Sequence, residues 1–148
     1  MVRVSEPRIE ALEQDQWNDA AQEIMAPMVE QGRVFNVFKT MTNHPDLMRR
    51  WLVFANHILG KSTLDVRERE LIILRIGFLC QAGYEWGQHV VIAREGGMTD
   101  EEIRSAQTGP DTPGLSALDK WLLQATDELH ADAHISDAAW KGLSEHLS

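Results

Sequence analysis

The chain has 148 residues, a formal net charge of −9 from 23 acidic and 14 basic residues, and one cysteine. That length predicts one domain with a sizeable core. The acidic balance argues against nucleic acid and membrane surfaces as partners, and a lone cysteine excludes an intrachain disulfide and suits a reducing compartment. No basic-then-apolar leader opens the sequence and no apolar run approaches about 20 residues, so a soluble cytoplasmic protein is expected.

Residues 1–15 are polar, with Pro7 early, and read as an N-terminal arm or a strap over a neighbour. Trp17, Ala20, Ala21, Ile24, Met25 and Met28 recur close to helical spacing and predict a helix to Glu30, with Pro27 near its end. Val34 to Met41 is a short apolar segment of a helical turn or two, with Met and Phe side chains suited to the core or to a pocket wall. Asn43-His44-Pro45-Asp46 is a helix entry, since proline is tolerated in the first turn. The helix runs from Leu47 to Leu59, with Leu47, Met48, Trp51, Leu52, Phe54, Ala55 and Ile58 as its apolar set. His44 and His57 accompany it, and a lone histidine is more often a surface or satisfied core group than a functional one.

The stretch from Asp65 to His89, DVRERELIILRIGFLCQAGYEWGQH, organises the chain. Asp65 with Glu68 three residues on forms a capping box, and Val66 to Cys80 reads as a helix apolar on nearly every side, which implies burial. A buried strand is the competing reading; the RERE entry and the segment's length favour helix. Arg75 inside the run needs an anionic partner, either a carboxylate of the protein or that of a substrate. A second helix follows Gly83, from Tyr84 to Glu95, and stops at Gly96-Gly97. Glu85 and His89 share a helical face, as an acid/base unit or as an idle surface pair. Spacing alone does not decide whether Glu70 reaches them.

Thr99 and the acids behind it open a helix to about Gln107, and Gly109 to Gly114 is the clearest loop. Ser116 to His130 is amphipathic, with Leu118, Trp121, Leu122, Ala125 and Leu129 on one face. Ser136 caps a last helix, Asp137 to Leu147. The six histidines form no metal signature; His130 and His134 bracket a helix end, and no metal is expected.

Glu70, the apolar run, Tyr84-Glu85-Trp86, His89, Ala93-Arg94 and Gly97 together resemble the carboxymuconolactone decarboxylase family, which also contains the alkylhydroperoxidase D proteins. The likeness takes in His44-Pro45, Trp51 and the MTDEEI stretch, about residues 35 to 107. The peroxidase branch carries Glu, then Cys-x-x-Cys, then His. With its His placed on His89, its Glu falls on Glu70 and its cysteines on Ala82 and Glu85, so both are absent, and Cys80 lies outside either position. The resemblance implies an all-α, alkylhydroperoxidase D-like fold of about seven helices in one domain over 1–148, with the Asp65 to Cys80 helix central, assembled as a homotrimer or homohexamer. Relatives often continue with a further helix beyond the last one here, which suggests a short form.

The implied function is a cofactor-free decarboxylase acting on a small carboxylated substrate of the aromatic-catabolic kind. Such a reaction needs a group that holds a carboxylate, stabilisation of the enolate left by carbon dioxide, and an acid that protonates carbon. His89 is the candidate acid, Glu85 its orienting partner and Glu70 a second acid/base group; Arg75, Tyr84 and Trp86 are candidate substrate contacts. One alternative is an alkylhydroperoxidase, which would need a reactive thiolate, whereas Cys80 is expected in apolar surroundings that make it inert. The other is an oligomeric small-ligand-binding protein without turnover.

Overall fold

The computed structural model describes residues 6–147 and is all-helical, with no strand among the described residues. A 3₁₀ turn at Gln14–Gln16 precedes eight helices: α1 Asp19–Glu30, α2 Asn36–Met41, α3 Pro45–Gly60, α4 Val66–Leu79, α5 Gly83–Glu95, α6 Asp100–Thr108, α7 Ala117–Asp132 and α8 Asp137–Ser144. They fall into two compact units, residues 1–62 and 63–148. Expected boundaries hold to within a few residues, and the segment read as a turn or two becomes α2.

In the first unit Trp17, Ala21, Met25 and Met48 form the buried cluster, flanked by Leu12, Ile24, Met28, Val34, Phe38, Met41 and Leu52. The described part of the polar arm is fastened to its own unit. Leu12 N–H donates to the Lys39 carbonyl at 3.3 Å, Lys39 Nζ meets Glu13 at 2.8 Å, and the Asn43 amide donates to the Glu10 carbonyl at 2.7 Å. Residues 1–5 of the arm lie outside the described residues. Along α3 only Met48 and Ala55 are buried, whereas Leu47, Trp51, Val53, Phe54, Ile58 and Leu59 are exposed. Its apolar set is therefore wider than the face its own unit covers.

In the second unit α4 packs against α5, α6 and α7. Asp65 and Glu68 form the expected capping box at its start. Leu71 and Leu74 of α4 join Ala93, Met98, Ile103, Ala106 and Leu123 in the core. Charged groups enter the same interior. Arg67 donates Nε to Glu102 at 2.7 Å and its two Nη groups to Asp119 at 2.7 and 2.9 Å, tying α4 to α6 and α7. This pair changes the buried stripe of α7. Asp119, Leu122, Leu123, Ala125 and Thr126 are buried and Leu129 is exposed; the two polar residues tolerate burial because Asp119 has its arginine and Thr126 returns its hydroxyl to the Leu122 carbonyl at 2.8 Å.

Burial pushes the Asp119 carboxyl up, but the bonds from Arg67 and Ser116 outweigh it and hold the group below its ordinary value. The Thr99 backbone N–H and Arg67 do the same for Glu102. Depressed folded values stabilise the protein above the unfolded ones, and that stabilisation is lost as pH falls through the folded values. The melting temperature is expected to drop below about pH 4, with a shallower acid limb in Arg67→Gln. In α8, a β-carbon at Gly142 would collide with the Trp121 indole. Gly142→Ala should cost about 1–3 kcal/mol in urea unfolding.

Candidate active site

Glu70 is brought in on α4 and His89 on α5, and the packing of these helices joins residues that lie 19 apart in sequence. The Glu70 side chain is 1% exposed, with Oε2 2.6 Å from His89 Nδ1 and Oε1 accepting from Arg69 Nε at 3.2 Å. His89 is 13% exposed. Its Nε2 lies 3.5 Å from Oε2 of Glu85, one turn earlier on α5 and 47% exposed. Glu70 is the innermost of these groups, Arg69 and His89 flank it, and Glu85 is the most exposed.

An arginine only donates, so Oε1 of Glu70 is an acceptor, and a carboxylate there assigns the ring proton to His89 Nδ1. Nε2 is then the nitrogen left to exchange protons on the solvent side. The Glu85 contact is long for a hydrogen bond and becomes an ion pair when the ring carries both protons. A buried carboxylate that fixes a histidine's tautomer and aims its other nitrogen outward is an acid/base device. The spacing of Glu85 and His89 is legible in sequence; the approach of Glu70 depends on how α4 meets α5.

The other candidates separate from this group. Arg75 is a structural clamp, a correction to its place among the substrate contacts. It donates Nε and Nη2 to Asp127 at 2.6 and 2.8 Å and Nη1 to the Ala106 and Gln107 carbonyls at 3.1 and 2.8 Å. These bonds fasten the end of α6 and part of α7 to α4 and close the fork to a ligand. Gly109, at φ +97°, lets the chain pass so near that a β-carbon would come within 2.7 Å of the guanidinium. Trp86 packs on the core and meets the Phe78 ring edge-on at 6.1 Å, while Tyr84 is exposed. Cys80 is exposed at the C-cap of α4, not enclosed by apolar side chains as its sequence neighbours suggested. The chain turns through Gln81, at φ 53°, and carries it outside. Ala82 is the N-cap of α5. His44 caps α3, its Nδ1 accepting from Leu47 N–H at 3.3 Å, and His57 is exposed. Among the described residues no group of three or more His, Cys, Asp or Glu is placed to hold a metal ion.

Arg69 and Asp127 were not singled out from sequence. Arg69 is one residue from Glu70, a separation at which helical side chains do not normally face each other. Asp127 lies 52 residues from Arg75, and only the need of a buried arginine for a carboxylate signals it.

The family profile described as "Carboxymuconolactone decarboxylase family" matches residues 45–128, from the start of α3 into α7. Comparison with curated proteins and with solved structures returns no match.

Asp127→Ala would leave the Arg75 guanidinium buried without its carboxylate. The expected loss is roughly 2–3 kcal/mol in urea unfolding, below that of a fully enclosed pair because Asp127 is partly exposed.

Proposed function

Because the chain belongs to the carboxymuconolactone decarboxylase family, we propose that it is a cofactor-free carboxy-lyase in which His89 protonates the carbon that loses carbon dioxide. The observation that carries this reading is the 2.6 Å contact between buried Glu70 and His89 Nδ1, with Nε2 3.5 Å from the half-exposed Glu85. In the working state His89 holds both ring protons between Glu70 and Glu85. The bond to the substrate carboxylate breaks, carbon dioxide departs, and the electron pair remains on carbon, delocalised as an enolate. Nε2–H then delivers its proton to that carbon, and Glu85, at the rim, returns a proton from solvent to Nε2.

A dithiol peroxidase mechanism has no support in this arrangement, since Ala82 and Glu85 occupy its cysteine positions. The solvent-exposed position of Cys80 removes burial as a reason for inertness, so the case against thiol chemistry rests on the missing second thiol. The reading also includes self-association as a homotrimer or homohexamer. Its support is the run of exposed apolar side chains along α3, at Leu47, Trp51, Val53, Phe54, Ile58 and Leu59.

The test is carbon dioxide release from a carboxylated muconolactone. His89→Gln is expected to abolish it, Glu70→Gln to lower it by about 10²-fold or more, and Cys80→Ser to leave it unchanged. Full activity in His89→Gln, or hydroperoxide consumption that disappears in Cys80→Ser, would contradict the proposal. Light scattering at micromolar concentration should give a mass above that of one chain.

A further inference from the structure

The reaction proposed for His89 calls for a group that holds a substrate carboxylate, and Arg75 is closed to that duty. Three arginines of α4 point to where that group is. Arg67 has its whole fork on Glu102 and Asp119, and Arg75 has its fork on Asp127 and two carbonyls. Arg69 differs, because it meets Glu70 through Nε, at 3.2 Å, and not through the forked end. We propose that the Nη edge of Arg69 is the anion-binding group of this site and takes the carboxylate of a small organic acid whose reacting carbon lies at His89 Nε2.

Two features of the geometry support this assignment. Successive residues on a helix point about 100° apart, so an arginine beside a buried glutamate would ordinarily extend into water. Arg69 instead is 14% exposed, with its Nε 3.2 Å from Oε1 of the buried Glu70 carboxylate. Arg69 and His89 also grip opposite oxygens of that one carboxylate, Oε1 and Oε2. Glu70 thus ties a guanidinium and an imidazole, an anion-binding group and a proton donor, to the two oxygens of one carboxylate. The planar fork suits a carboxylate in a way an ammonium does not, so the site should discriminate between arginine and lysine.

The proposal rests on the acid–base reading of His89, but its test is binding without turnover. Full-length protein with ¹⁵N-labelled arginine and histidine side chains is titrated with benzoate, and with benzamide as the neutral control. Benzoate should shift the Arg69 Nε and His89 ring signals saturably, and benzamide should not. Arg69→Gln should weaken benzoate binding by at least about tenfold, and Arg69→Lys, which keeps the charge next to Glu70, by a similar factor. Circular dichroism identifies a variant that has lost its helices, in which case the Lys variant supplies the comparison. The titration reads binding and not carbon dioxide release, so failure of the acid–base reading leaves this test of the anchor intact. Unchanged affinity in a folded Arg69 variant, equal binding of benzamide, or no saturable response in the parent protein would overturn the assignment.

Discussion

Charge burial on α4 is the constraint on which the second unit depends. This helix carries Arg67, Glu70 and Arg75 into or against an interior built from Leu71, Leu74, Ala93, Met98, Ile103, Ala106 and Leu123. An ion taken out of water costs several kcal/mol unless it meets an opposite charge with its hydrogen bonds satisfied. Each of the three finds one: Arg67 and Arg75 tie α4 to α6 and α7 at two different places, and Glu70 ties it to α5. No buried side-chain nitrogen or oxygen among the described residues is left without a partner. The pairs add little net energy, but they allow few relative positions of the four helices, since a shift would strand a buried charge.

The Glu70 pairing differs from the other two in what it leaves open. Arg67 and Arg75 close on carboxylates whose positions are set by α6 and α7, so these contacts are architectural. Glu70 closes on a histidine, and a histidine has a second nitrogen. The same demand for a partner that locks α4 to α5 therefore orients an imidazole and presents Nε2 to the half-exposed Glu85. Structural necessity and proposed chemistry meet in one 2.6 Å contact.

Much of this was legible in the chain. Caps and glycines marked the helices, because Asp65, Thr99, Ser116 and Ser136 satisfy first-turn N–H groups by local rules. The i,i+4 rule placed Glu85 with His89. Local rules do not carry across helices, and there the sequence became ambiguous. The resemblance brought Glu70 to the site, while no rule separated Arg75 as clamp from Arg75 as ligand until Asp127 and two α6 carbonyls were seen around it. Apolar periodicity misled where a polar pair displaced it. Asp119 takes a buried place on α7 because Arg67 stands opposite it, while Leu129 near the other end of the helix faces solvent. Cys80 looked enclosed by its sequence neighbours and lies outside because the chain reverses at the next residue.

The central claim is that Glu70 fixes the proton of neutral His89 on Nδ1 and leaves Nε2 for chemistry. The ¹⁵N shifts of the His89 ring, recorded above its titration, test this most directly. The account predicts a protonated Nδ1 and a bare Nε2 in the parent protein, with the two tautomers mixing once Glu70→Gln removes the carboxylate. A bare Nδ1 in the parent, or a tautomer unchanged by Glu70→Gln, would contradict it.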